Sequence, residues 1–409
     1  MAKSYQVVNE FDFIRRLREQ TRSRPQSSRL SVGIGDDAAV IRQYSDRDLV
    51  LTTDLLVEGV DFHPQTTPPC LLGHKALAVS MSDVAAMGAR PRWALASVGF
   101  AKDVWESNFR DDFFAGYLGL ADRYGVTLAG GDVSAAQQIV IDSILVGEVK
   151  TGRAVLRSTA QPGDQIFVTG SLGGAAAGLK LIELGARLSE PPAARGPREG
   201  LPSGVQDAGE ANSQLAADGR PQDGGASVPG ADRGPHAGSP RGVVDATGST
   251  QYSEEDAIDS LLLRQLSPQP RVGWGIVLGE EHLATSMIDI SDGLSSDLHH
   301  LCAQSNVGAT IDAASLPLNE HAVQLCGRRA LDPLALALHG GEDFELLFTV
   351  APKNVARLPK FVDGIPISHI GEIGEAAGGV GVSEQNRVWE LAAQGFEHFG
   401  SNKPGLSRS

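Results

Sequence analysis

Apolar residues recur at helical spacing over residues 10–20, where Phe11, Phe13, Ile14 and Leu17 alternate with charged positions, so a short amphipathic helix is expected there. Residues 48–54 (DLVLTTD) read as a strand that ends in polar side chains. Residues 72–87 read as a helix with Leu77, Val79, Met81, Val84 and Met87 among its apolar positions, and Gly88 stands where a C-terminal cap belongs. A strand over 93–100 follows, then a second long helix over 108–124 stopped by Gly125. A short strand over 126–129 runs into Gly130-Gly131-Asp132, and another strand covers 139–149. This order of elements predicts a mixed α/β domain. Gln161-Pro162-Gly163-Asp164 has turn chemistry and breaks the pattern. A new strand over 165–169 then feeds a glycine-rich turn and helix over 170–185, with further helices at 254–266 and 271–280. The expected division is an N-terminal domain over residues 1–155 and a C-terminal domain over 156–400. Two domains suit a chain of 409 residues, because single cores stop growing near roughly 250–300 residues.

The stretch 188–250 breaks every periodicity. It contains no Ile, Phe, Trp, Met or Lys and is rich in Gly, Pro, Ala, Ser, Asp and Arg. Such a composition buries too little apolar surface to offset its ordering entropy, so a disordered insertion is expected. A tolerated surface loop is the plain reading and a docking segment the alternative.

The formal net charge of −15 argues against a nucleic-acid binder and against a surface that seeks anionic lipid. No run approaches the roughly 18 apolar residues of a membrane span, and the charged start MAKSYQVVNEFDFIRRLREQ lacks the apolar core of a secretory signal. A cytoplasmic location is the expectation. Cys70, Cys302 and Cys326 show no CxxC spacing, so neither a disulfide framework nor a zinc site is suggested.

The chemistry lies in acids placed among apolar or glycine residues: GIGDDAAV (33–40), LTTDLLVEGVDFH (51–63), KALAVSMSDVAAMGA (75–89), LAGGDVS (128–134), MIDISDGLSSDL (287–298) and HGGEDFELLFTV (339–350). A desolvated carboxylate is costly unless something positive meets it. Two of them about 4 Å apart repel by roughly 4 kcal/mol at an effective dielectric near 20. Gathering them around hard cations answers that cost, and Mg²⁺, which favours oxygen ligands, commonly arrives with substrate phosphates. The residues therefore point to a Mg²⁺-dependent enzyme acting on a nucleotide.

Each segment also has a plainer reading. Asp36 and Asp37 can bend around a metal or merely end a turn. Asp54 ends a strand, where it can meet a ligand or cap the next turn. Asp83 interrupts an apolar helix, so a buried partner is expected. Gly131 beside Asp132 allows close backbone approach to a ligand. Asp292 can cap a helix, whereas Asp289, within an apolar strand, needs more than a cap to explain it. Arg157 can neutralise nucleotide phosphate or face solvent. The glycines of 170–178 lack the Lys of a Walker loop; they can offer N–H groups to a phosphate or let helix and strand pack closely. His299 and His300 are expected on a solvated face.

In this order, the six acidic segments resemble the thiamine-monophosphate kinase family, within the superfamily of aminoimidazole ribonucleotide synthetase and selenophosphate synthetase. The resemblance covers nearly the whole chain except the insertion and the extreme ends. It implies an α/β (α+β) fold of two domains: an N-terminal α/β domain that pairs with its copy in a homodimer, and a C-terminal α/β domain with a mixed sheet. It implies phosphoryl transfer from ATP to thiamine monophosphate. Asp37, Thr52, Thr53, Asp54, Asp83, Asp132, Asp289 and Asp292 resemble the family's Mg²⁺ ligands. Gly131, Asp132, Arg157 and Ser291 resemble ATP contacts, and Asp61, Glu342 and Phe396 contacts to the thiamine phosphate. Position 61 departs from relatives that carry His there. No general base is implied. The alternatives are another ATP-dependent enzyme of the superfamily, similar to aminoimidazole ribonucleotide synthetase, and a nucleotide- or thiamine-phosphate-binding sensor without turnover.

Overall fold

Alternation of buried and open side chains builds the first sheet. Six strands, β1 (Leu30–Val32), β2 (Ala39–Arg42), β3 (Arg47–Val57), β4 (Arg90–Phe100), β5 (Thr127–Ala135) and β6 (Val140–Lys150), pair in the order β1-β2-β3-β6-β4-β5. Only the β4–β5 pairing is parallel. In β3 the even positions turn inward: Val50 and Leu56 are buried, while Thr53 and Leu55 are exposed. The computed structural model describes residues 29–189 and 253–396 apart from 34, 35, 44, 45, 330 and 386, with a few isolated positions elsewhere. Almost all of the expected helix over 10–20 and of the 188–250 insertion lies outside the described residues.

The inward face packs on helix α1 (Pro69–Ala86), which is buried on nearly every side. Pro at its first position and the left-handed Gly88 just past its end (φ 68°) set its limits. Helix α2 (Phe109–Tyr124) ends as expected at Gly125, φ 65°. It lies close enough to α1 that a Cβ on Gly116 would sit 1.7 Å from the Cys70 carbonyl oxygen. Gly116→Ala is expected to destabilise the protein by about 1–3 kcal/mol, the usual scale of overpacking, read as a drop in denaturant midpoint at unchanged slope.

The second sheet is mixed. Its strands β7 (Gln165–Thr169), β8 (Ala284–Asp289), β9 (Val307–Asp312), β10 (Leu346–Val350), β11 (Ile365–Glu375), β12 (Val380–Glu384) and β13 (Arg387–Glu390) run in the order β8-β10-β7-β11-β9-β12-β13, and a two-residue strand, Phe361–Val362, pairs with β11. β9 and β12 are parallel; the other pairs are antiparallel. Helix α6 (Leu294–Ser305) packs on it, α3 (Gly174–Glu183) and α4 (Glu254–Leu266) pack on each other, and α5 (Val272–Glu280) packs on α1 and sets Trp274 against Phe348 of β10. Phe167, Trp274, Met287 and Phe348 share one core with α1, so the two sheets are packed through that helix.

One strand differs from expectation. β5 continues through Gly130, Gly131 and Asp132, which the sequence pattern places beyond its end. A Cβ on Gly131 would lie 1.9 Å from the Ala96 carbonyl oxygen. The glycine is explained by close pairing of β5 with β4, beside a register shift at Ala94/Leu95.

Candidate functional site: a buried acid cluster

Three acids from separate elements converge. Asp37 precedes β2, Asp83 lies in the last turns of α1 and Asp289 ends β8; one carboxylate oxygen of each lies within 4.8 Å of the others. The cluster is held by its neighbours. Thr52 donates to Asp83 Oδ2 at 2.5 Å, and Ser82 donates to Asp289 Oδ2 at 2.7 Å. Arg157 grips Asp37 with two bonds of 2.6 Å, from Nε and Nη2.

Asp289, Asp83, Asp54 and Asp36 hold their protons more tightly than free carboxylates. Loss of hydration, then the charge of Asp37, raises Asp289 to about 8. Loss of hydration and the charges of Asp54, Asp289 and Asp37 push Asp83 well above its ordinary range. Asp54, two residues from Thr52 along β3, is raised to about 6 by burial, and Asp142 adds to the shift. Asp36 reaches about 7 through burial and the neighbouring Asp37. Burial alone would lower Arg157; the charge of Asp37 and its hydrogen bonds overcome this and raise it. Arg157 is the one cation bonded to this group among the described residues, and Asp54 Oδ2 is buried without a hydrogen-bond partner. A carboxylate set of this kind fits a hard divalent cation.

A second group lies beyond β8. Asp292, Asp297 and His300 bring ligand atoms within 4.8 Å of one another. A cap role for Asp292 does not hold: the residue before α6 is Gly293, and Asp297 Oδ2 accepts from the N–H groups of Asp292 and Gly293 at 3.2 and 3.1 Å. His300 does not stand on a solvated face; it is half-buried in this group, and desolvation lowers it to about 4.

Backbone bonds draw further expected residues to the same place. Glu342 N–H donates to Ser291 O at 2.8 Å, and Phe396 N–H donates to Asp292 O at 3.3 Å. Ser291, Asp292, Glu342 and Phe396 are thereby one neighbourhood at the C-terminal end of β8.

Other expected residues stand apart. Thr53 points to the opposite face of the first sheet and donates to Asp142 at 2.5 Å. Asp132 is exposed on that face, because Asp142, Ser97 and Asp132 are consecutive partners across β6, β4 and β5. Asp61 sits in the loop after β3 and accepts from Val57 N–H at 2.7 Å. None of these three belongs to either acid group. The glycine-rich turn before α3 does not resemble a vacant phosphate cradle: Asp343 accepts from Gly173 N–H and Ala175 N–H at 2.6 and 3.0 Å. A Cβ on Gly178 would meet Leu261 O at 2.1 Å, so packing explains that glycine.

The sequence reading missed Asp142, Asp297, Lys75 and Gln265. Asp142 carries the signal that singles out Asp289, an acid inside an apolar strand (VIDSILV). Lys75, likewise, is a cation opening an apolar helical run.

Comparison with known proteins gives the chain's family. The family model for the AIR synthase related protein N-terminal domain matches residues 35–149, and that for the C-terminal domain matches residues 248–383. The thiamine-monophosphate kinase of Escherichia coli strain K12 is 33% identical over 402 residues, spanning 96% of this chain and 99% of the relative. That of Aquifex aeolicus strain VF5 is 31% identical over 366 residues, 90% of this chain and 92% of the relative. Among solved structures, AaThiL complexed with AMPPCP and TMP superposes with a TM-score of 0.70 at 28% identity, covering 97% of this chain and 99% of the other. The thiamine-monophosphate kinase of Stenotrophomonas maltophilia K279a gives 0.64 at 31% identity, covering 96% and 99%.

Proposed function

Since this chain belongs to the thiamine-monophosphate kinase family of AIR synthase related proteins, we propose that it transfers the γ-phosphoryl group of ATP to thiamine monophosphate, giving thiamine diphosphate and ADP. The observation that carries this reading is the convergence of Asp37, Asp83 and Asp289 beside Arg157. A relative solved with AMPPCP and TMP supports both ligands.

Asp37, Thr52, Asp54, Asp83 and Asp289 would hold Mg²⁺ on the inner side of the first sheet, with Asp292 beyond β8. Mg²⁺, when bound, would offset the negative charge of donor and acceptor phosphates. The acceptor is a phosphate monoester whose second pKa is about 6, so its attacking oxygen is ionised at neutral pH without a general base. The chain's own part is to bind and align. Arg157 uses two of its N–H donors on Asp37, and a guanidinium has five; the others suit a phosphate. Ser291 and Glu342, joined by a backbone bond, place nucleotide and thiamine contacts side by side. Phe396, about half exposed, offers a ring on which the thiamine can stack.

Thr53 and Asp132 act from the outer face of the first sheet, with Gly131 beside Asp132 in β5, and this face also exposes Leu55, Trp93 and Leu95. We place the homodimer contact on this face, so that Asp132 and its ATP contacts come to lie at the subunit boundary. A domain boundary near residue 155 and a cytoplasmic location complete the proposal; no helix among the described residues is long and apolar enough to cross a membrane.

A coupled assay tests the reaction. Equal amounts of ADP and thiamine diphosphate, formed only with Mg²⁺, are expected. ATP hydrolysis without thiamine diphosphate would reject the assignment.

A further inference from the structure

Glu342 has an unusual setting for a partly open acid. Its backbone is left-handed (φ 65°), a conformation that disfavours side chains. Its side chain is 31% exposed, yet both carboxylate oxygens are engaged from within. Lys75 Nζ lies 2.6 Å from Oε1, and Gln265 Nε2 donates to Oε2. The two partners come from different helices, α1 and α4.

Both partners are expensive to place there. Lys75 is only 2% exposed, inside helix α1 at the start of its apolar run. A buried ammonium is tolerated only when paired, and its ion pair here is with Glu342. Gln265 is 4% exposed, and its Oε1 is buried with no hydrogen-bond partner. The amide cannot be turned to relieve this, because Oε1 would then face the carboxylate. Packing alone would favour an apolar side chain at either position. Strained backbone, a buried cation and an orphaned acceptor all meet at one carboxylate, and such local conflicts are typical of functional sites.

We infer that Lys75 and Gln265 are positioning residues that fix the Glu342 carboxylate as an acceptor for the exocyclic amine on the aminopyrimidine ring of thiamine monophosphate. This rests on the proposed function, which makes Glu342 a substrate contact. A carboxylate offers about four acceptor sites. Lys75 and Gln265 occupy the inward ones, and the exposed part of the group is left for the substrate. Ring recognition is thus set from α1 and α4 by side chains other than the acids that would hold Mg²⁺.

Steady-state kinetics on Lys75→Met, Gln265→Leu, Lys75→Arg and Glu342→Gln, with each substrate varied in turn, test the inference. Lys75→Met and Gln265→Leu should raise KM for thiamine monophosphate roughly tenfold or more, while KM for ATP changes less than about twofold. Lys75→Arg should recover much of the loss. Lys75→Met added to Glu342→Gln should have little further effect, since the two act through one group. If Lys75→Met does not fold, Gln265→Leu, on the other helix, decides. Unchanged KM for thiamine monophosphate in folded variants, equal rises in both KM values, or additive losses in the double variant would overturn the inference alone. A wild-type protein that does not phosphorylate thiamine monophosphate would instead remove the proposed function on which it rests.

Discussion

Asp289→Asn is expected to lower kcat by roughly a hundred- to a thousandfold, the scale found when one group that stabilises transition-state charge is removed. Asn keeps the shape of the side chain, and Ser82 can still donate to its oxygen as it does to Asp289 Oδ2. What disappears is the charge, at a place where Asp37 and Asp83 lie within 4.8 Å. The variant should therefore fold. Without metal at pH 8 it should melt higher than the wild type, because an acid that resists ionisation up to about 8 has been replaced by a neutral group. Loss of rate together with gain of metal-free stability separates a functional acid from a structural one. Single-turnover rates close to wild type would reject the role of Asp289.

The second large effect is in pH and metal. Asp54, Asp36 and Asp289 are raised from 3.8 to about 6, 7 and 8. Between the unfolded and folded values, the native state binds more protons than the unfolded one, so stability falls as pH rises. The contribution is complete below about pH 4 and is lost as pH climbs through about 6, 7 and 8 in turn. Each tenfold gain in proton affinity on folding corresponds to about 1.4 kcal/mol, so the loss for the group is on the order of several kcal/mol. Metal binding requires the deprotonated acids and releases their protons. The metal-free protein should melt lower at pH 8 than at pH 6, and saturating Mg²⁺ should raise Tm more at pH 8. A metal-free Tm that climbs over this range, or an equal Mg²⁺ effect at both values, would contradict the cluster's electrostatics.

The arrangement was legible where local physics decides it. Helix α1 and its stop at Gly88, helix α2 and its stop at Gly125, and strand β7 follow from apolar spacing and glycine conformation. The acids of the central group were readable because burying a carboxylate among Met, Val and Ala requires a reason. Strand pairing was not legible. It brings Asp142 of β6 beside Thr53 of β3 and carries β5 through two glycines. Long-range partners were also hidden: the capture of the α3 turn by Asp343, and the meeting of Lys75 and Gln265 at Glu342, join residues far apart in the chain. Nothing local in the sequence encodes such pairs.

Anomalous diffraction from crystals grown with Mn²⁺ in place of Mg²⁺, together with a non-hydrolysable ATP analogue and thiamine monophosphate, addresses the gathering of acids around metal directly. Peaks should lie about 2.0–2.3 Å from carboxylate oxygens of Asp37, Asp83 and Asp289, between the two phosphate groups. Peaks confined to surface acids, with Asp37 still gripped by Arg157 and both ligands bound elsewhere, would contradict the account.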